Sequence, residues 1–360
     1  MSWVLAFVGF ALLVILHELG HFAVAKLVGM RVEKFSLFFP PTLVSKKVGE
    51  TEYAIGAIPA GGYVKISGMN PDEELPEEVR DRAYHAQPVW KRIAVIVAGP
   101  AVNAVLALLL LLVFWAAIGP QTVTDRVGTI EKDYPAENVL EPGDKLISVD
   151  GVTGDPEKLS EAIQKHRCEG APADGCEASS PAELVIGRDG ERRTVSVTPV
   201  YDAAEGVEYT RIGFGYARGP REALPFGEAA TTSVDQFWFI TKQSVSLPAR
   251  IFDAEKRKEI SGIVGSYEVT RQTILNNVAD VVLIMALISL SLAIVNLFPF
   301  LPLDGGHIFW AVIEKLRGRP VPLRVMERSG VIGFMLVIGL FLIGLSNDIG
   351  RLTGEGFTPP

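Results

Sequence analysis

Cysteine is nearly missing. The 360 residues hold two, Cys168 and Cys176, too few for a disulfide scaffold. They pair if their region lies outside the cytoplasm and otherwise stand as two free thiols. Long blocks of like charge are missing too. Lys plus Arg number 34 against 42 Asp plus Glu, a net charge of -8, so a nucleic-acid surface is not expected. No basic stretch precedes the first apolar run, and no small-residue cleavage site comes before its charged groups. It therefore does not read as a secretory signal and is expected to be retained. What is present in excess is apolar text. Hydrophobic residues make up 48% and are unevenly spread, which points to membrane segments joined to a polar domain.

Four runs are long enough to cross a hydrocarbon core, which takes about 20 residues. They run roughly from Trp3 to Val24, Ile93 to Ile118, Val281 to Phe298 and Val331 to Leu345. Lys and Arg in the short connections orient them. The link between the third and fourth runs carries Lys315, Arg317, Arg319, Arg324 and Arg328; the link between the first and second has Lys26, Arg31, Lys34, Lys91 and Arg92. Both links read as cytoplasmic. The two termini and the long middle region are then expected outside a cell inner or plasma membrane.

Inside the first link, "TEYAIGAIPAGGYVKISGM" (51–69) alternates apolar and polar residues around Pro59, Gly61 and Gly62, the pattern of a β-hairpin. Beside the spans, such a hairpin can offer a free edge to an extended peptide. From about Thr124 to Val200 the text turns soluble, with strands, a helix and two strands joined by an Asp-Gly turn. Residues 220 to 275 interleave aromatic and polar groups, suited to the outer membrane face. Phe237, Trp238 and Phe239 read as interface anchors, Asp280 as interfacial, and His85 and His166 as solvated.

The chemistry is concentrated in "VILHELGHFAVAKL" (14–27). His17, Glu18 and His21 sit in a membrane run, where ionisable groups are expensive and usually functional. Positions i and i+4 share a helix face, so His17 and His21 can meet one metal, with Glu18 about 100° round and able to act on water. Zinc suits such donors, and a catalytic site takes three protein ligands. The third is expected from "NLFPFLPLDGGHIFW" (296–310). There Pro299 and Pro302 interrupt helix bonding, Gly305 and Gly306 let the backbone turn, and Asp304 supplies a carboxylate. At 1.5 Å per residue, His17 lies ~20 Å and Asp304 ~30 Å from the outer ends of runs in the same direction, on the inner side of the midplane. His307 reads as a supporting or structural residue.

These stretches together resemble the site-2 protease family of intramembrane zinc metalloproteases. The resemblance spans nearly the whole chain and rests on "HELGH", "GGYVK", "SGIVG" and "NLFPFLPLDGGH". "EPGDKLISVDG" adds a resemblance to a PDZ domain, present once. The resemblance implies Zn2+ held by His17, His21 and Asp304, and Glu18 as general base. It implies that the hairpin around Gly61, Gly62 and Tyr63 holds substrate as a strand and that Asn296 assists. "GPAVN", with Asn103, is similar to the family's second-span motif, without a role assigned. "SGIVGS" departs from the proline-bearing SGPVG form, and some relatives carry two PDZ domains.

The expected architecture is an α-helical polytopic membrane protein with about four transmembrane helices, a membrane-associated β-hairpin and an inserted α+β PDZ-like domain. Residues 1–120 form the first membrane half and 121–202 the PDZ-like domain. Residues 203–275 form a juxtamembrane linker and 276–360 the second membrane half. The implied activity is hydrolysis within or beside transmembrane segments, after a first extracytoplasmic cleavage, of anti-sigma-factor-like or remnant signal-peptide substrates. Partners are then single-span membrane proteins, membrane lipid and peptide ends bound by the PDZ-like domain, with no nucleic acid. Two rivals are a silent membrane scaffold and a membrane-anchored zinc peptidase of another family.

Overall fold

A computed structural model describes residues 2–70, 73–170, 173–202, 209–246, 253, 257 and 262–353. The chain divides into two compact units, Met1–Ala117 with Leu224–Pro360, and Ile118–Ala223.

Helix α1 (Ser2–Leu27) is apolar almost throughout. It ends where Gly29, at φ 84°, takes the left-handed conformation that closes a helix, the Met30 amide donating to the Ala25 carbonyl at 2.9 Å. Strands β1 (Val32–Val48) and β2 (Thr51–Ile66) pair antiparallel in two registers. Residues 34–37 lie between 62–65 on one side and 52–55 on the other, while 42–48 pair with 51–56. Four extended stretches thus lie side by side, with 62–65 at one edge. The hairpin expected at 51–69 is therefore split by a strand that the sequence hides. "FSLFFPPTLV" lacks two-residue alternation and carries two prolines, both of which argue against a strand. Helix α2 (Val89–Val113) contains Pro100, which has no N–H for the Ile96 carbonyl and loosens that turn.

The second unit is a six-stranded antiparallel sheet. Its strands are β3 (Gln121–Ile130), β4 (Lys145–Val149), β5 (Val152–Thr153), β6 (Ala182–Arg188), β7 (Glu191–Val197) and β8 (Phe214–Arg221), in the order β7-β6-β4-β3-β8 with β5 on β4. Helix α3 (Pro156–Gln164) starts at Asp155, whose carboxylate accepts from the Lys158 amide at 3.0 Å, a side-chain cap. Leu146, Val149, Leu159, Leu184 and Ile186 form the core. Strand β8 lies in the stretch read from sequence as linker, because its partner β3 is about ninety residues away and no local pattern marks the pairing. In the turn before β4, Gly143 takes φ 99°. The adjoining Asp144 carboxylate is buried and accepts from Arg188 (2.6 and 2.8 Å) and from the Glu141 amide (2.8 Å). Cys168 and Cys176 are disulfide-bonded. His166, expected to be solvated, instead bridges Asp150 (2.6 Å) and the Ser180 carbonyl (3.0 Å).

The first unit resumes with α4 (Phe226–Val245), α5 (Ile263–Asn276), α6 (Val281–Asn296), α7 (Asp304–Arg317) and α8 (Leu323–Thr353). Four helical stretches are long and apolar enough to cross a membrane: Val4–Leu27, Val89–Ile118, Val278–Asn296 and Arg324–Gly350. Ala107, Leu111, Ile240, Ala286 and Leu290 form a core among α2, α4 and α6. On α4, Trp238 and Phe239 are exposed, as anchors require, whereas Phe237 packs on that core. Of "SGIVGS", Ser261 lies outside the described residues. Gly262 caps the start of α5, and the amides of Gly262 and Gly265 donate to the buried Asp348 carboxylate of α8 (2.7–3.1 Å). Gly305 and Gly306 do not turn the backbone. They lie in the first turn of α7, where an added Cβ would stand 2.2 Å from the Leu297 carbonyl oxygen or 2.4 Å from the Leu301 nitrogen. Close packing requires them there, not conformational freedom.

Candidate metal centre

On α1, His17 and His21 are one helical turn apart and buried, with their rings edge to face at 4.8 Å between centroids. Their Nε2 atoms are 3.2 Å apart. Asp304, first residue of α7, places Oδ2 3.2 Å from His17 Nε2 and 3.3 Å from His21 Nε2. A carboxylate at this position also faces the positive end of the helix dipole. Asp304 Oδ2 is buried with no hydrogen-bond donor, a costly state for an anionic oxygen unless a cation meets it.

The triangle itself tests the fit to zinc. Ligand atoms at 2.0–2.2 Å on a tetrahedral Zn2+ stand about 3.3–3.6 Å from one another. The observed edges of 3.2, 3.2 and 3.3 Å are close to one face of such a tetrahedron. Two imidazoles and one carboxylate are also the donor types zinc takes in catalytic sites, where the fourth position stays open. Among the described residues, His17, His21 and Asp304 form the one group of three or more such donors close enough to share an ion.

Each imidazole is held from behind. His21 Nδ1–H donates to the Val95 carbonyl at 2.8 Å, in the turn loosened by Pro100. His17 Nδ1 lies 3.3 Å from the Asn103 amide. Small residues let α1 approach α2 this closely. A Cβ on Gly20 would sit 2.7 Å from the Ala98 carbonyl oxygen, and one on Gly99 would sit 2.3 Å from His21 Nε2. At the far end of α7, Glu314 pairs bidentately with the buried Arg92 of α2 (2.6 and 2.9 Å), fixing the helix that carries Asp304.

A cavity of about 380 Å³ opens on the three donors. Glu18, Gly61, Gly62, Tyr63, Asn296 and His307 line it, so the sequence-predicted residues converge on one space. Glu18 points at the sheet edge: a Cβ on Gly62 would be 3.0 Å from its Cγ. No side-chain hydrogen bond joins Glu18, Asn296 or His307 to another described residue. His307 lines the cavity but stands outside the donor group. Sequence reading missed the Val95 carbonyl and the Arg92–Glu314 pair. Opposite charges bordering apolar runs are the only signal for the pair, and a main-chain acceptor leaves none.

Helices fit to cross a membrane around a His, His, Asp pocket define a membrane metallohydrolase. Comparison with known proteins narrows the class. The family model "Peptidase family M50" matches residues 5–340. A Brucella suis biovar 1 protein is 30% identical over 363 residues, covering 93% of this chain and 92% of its own. A Clostridium perfringens protein is 30% identical over 352 residues, 96% and 98% of the two chains, and one from Campylobacter jejuni is 29% identical over 355 residues, 95% and 92%. All three bear zinc-metalloprotease names. The chain belongs to peptidase family M50, the site-2 protease family, and is a multi-pass membrane zinc metalloprotease.

Proposed function

We propose that this enzyme cleaves peptide bonds within or next to the transmembrane segments of single-span membrane proteins, using His17, His21 and Asp304 as zinc ligands and Glu18 as general base. The observation that carries this reading is the convergence of three metal donors, one unpartnered carboxylate and one sheet edge on a single cavity bordered by apolar helices. Bound there, Zn2+ supplies Lewis acidity toward a carbonyl and toward water, whose pKa it brings to about 7. Glu18 takes the proton of the attacking water and returns it to the leaving nitrogen. A helical substrate hides its carbonyls in hydrogen bonds and must unwind before attack. The edge stretch 62–65, with Gly61, Gly62 and Tyr63 at the cavity, offers main-chain groups to such an unwound strand. Asn296, free in the same wall, offers an amide to the strand's backbone.

The inserted sheet acts as a PDZ-like domain that takes peptide ends. The Pro142–Gly143–Asp144 turn, the five-strand path and helix α3 support this assignment. Its disulfide and the Lys- and Arg-rich short links favour an extracytoplasmic domain, extracytoplasmic termini and a centre toward the cytoplasmic side of the inner or plasma membrane. Substrates are then remnants of a first outer cleavage, of the anti-sigma-factor or signal-peptide kind.

The test is Glu18→Gln in cells expressing a tagged single-span substrate. Cleavage is expected to fall by at least ~100-fold, the scale of general-base catalysis, with zinc content unchanged. Cleavage at the unmodified rate removes Glu18 and this reading with it.

A further inference from the structure

We propose that Asn103 is a positioning residue that fixes the tautomer of His17 by accepting its Nδ1–H through Oδ1. The inference rests on the metal centre proposed above and deepens it.

A neutral imidazole carries one proton, and a metal takes the nitrogen that lacks it. His17 turns Nε2 toward His21 and Asp304, so as a ligand it must keep its proton on Nδ1. That N–H is buried and needs an acceptor. For His21 the Val95 carbonyl fills this role at 2.8 Å. For His17 the polar group at Nδ1 is the side-chain amide of Asn103, 3.3 Å away and on a residue with no exposed surface.

As placed, the amide presents its nitrogen to His17 and leaves Oδ1 buried without a donor. A half-turn about the Cβ–Cγ bond exchanges the two ends with almost no change of shape, so only hydrogen bonding distinguishes them. Counting bonds does not decide, since each orientation pairs one end and leaves the other alone. The metal decides. With nitrogen facing His17, Nδ1 must be the acceptor and Nε2 carries hydrogen into the donor triangle, where it excludes a cation. With oxygen facing His17, both imidazoles direct lone pairs at the same point as Asp304. The main chain at this position is already anchored: the Asn103 carbonyl accepts from Ser289 Oγ at 2.8 Å, and Ser289 is also fully buried. Thus α1, α2 and α6 are joined by polar contacts at the depth of the centre.

The experiment measures zinc affinity by chelator competition on the full-length enzyme in detergent. Asn103→Leu keeps the branched shape and removes the acceptor; affinity is expected to fall 10–100-fold, as when a supporting partner of a ligand histidine is lost. Asn103→Asp keeps an acceptor and no donor, and is expected to stay within about 10-fold of the unmodified enzyme, as carboxylate–histidine–zinc arrangements do. Ser289→Ala removes the helix-to-helix bond without touching the acceptor and should leave zinc affinity unchanged. Unmodified affinity in Asn103→Leu overturns the proposal. Equal losses in Leu and Asp also overturn it, since an acceptor at this position then does not sustain zinc binding. Should Asn103→Leu fail to fold, Asn103→Ala removes the acceptor with a smaller side chain and carries the same expectation, and unmodified zinc affinity there overturns the proposal. Full zinc content in His17→Ala and Asp304→Ala would instead sink the centre itself, an outcome separate from either result at Asn103.

Discussion

Gly99 decides whether His21 can point where it does. No side chain fits between α2 and the imidazole, because even a methyl carbon would lie 2.3 Å from Nε2. A histidine on the surface would swing aside at little cost. Here the Nδ1–H is tied to Val95 and Nε2 belongs to the donor triangle, so moving the ring dismantles both. Gly99→Ala is therefore expected to lower zinc affinity at least ~10-fold, the cost of a misplaced ligand, while helix content by circular dichroism stays as it is. Retained affinity would mean that the helices separate enough to admit the methyl group. At this scale much was legible in advance. His17 and His21 announce themselves because the four-residue spacing is local, and ionisable residues stand out against apolar neighbours. Asp304, 283 residues from His21, was reached through the proline- and glycine-broken text around it and a matching depth, and the resemblance then implied the same role. The glycines at 20 and 99 were not legible as contact points, because helix crossing is invisible to the periodicity of either helix.

Among elements, the Asp144–Arg188 pair shows how a turn is locked to a sheet. Asp144 precedes β4 and Arg188 ends β6, and the carboxylate is almost wholly buried while the guanidinium also reaches Glu141 and the Val139 carbonyl. The Arg188 guanidinium, helped by the Glu141 amide, holds the Asp144 carboxyl below its ordinary value against the opposing pull of burial. A depressed folded pKa stabilises the fold above the unfolded value of about 3.9. That contribution is lost as pH falls through the lower folded value. Asp144→Asn is expected to destabilise the sheet unit by about 2 kcal/mol at neutral pH, because it removes the charge from an almost wholly buried carboxylate that accepts twice from Arg188. Hydrogen exchange of β4 and β6 in the full chain should report faster opening, and the gap to the unmodified protein should begin to narrow below about pH 4. A gap that stays constant to pH 2 would assign the loss to packing instead. The turn itself was legible from Pro-Gly-Asp. Its lock was not, because Arg188 is 44 residues away, and strand 214–221 escaped notice for the same reason, its partner β3 lying about ninety residues earlier; strand 32–48 pairs with its neighbour and was hidden by its prolines and broken alternation.

For the whole molecule, the apolar runs made the four crossings legible with ends shifted by a few residues, the fourth most of all. Its helix runs from Leu323 to Thr353 because Arg324, Glu327 and Arg328 extend it beyond the apolar text without breaking it. Orientation is a different matter, since it follows from charge and redox chemistry and not from packing. The disulfide makes it testable. Thiols in the cytoplasm are kept reduced, whereas the Cys168–Cys176 bond persists where the surroundings oxidise. In intact cells, a membrane-impermeant maleimide is expected to leave both residues unmodified until an impermeant reductant is added from outside, and then to label both. The chain has no other cysteine to confuse the signal. Labelling that requires permeabilisation, with no need of reductant, would place the sheet unit in the cytoplasm. It would also turn the Lys- and Arg-rich links outward and move the metal centre to the opposite half of the membrane, against the charge rule that orients the four spans.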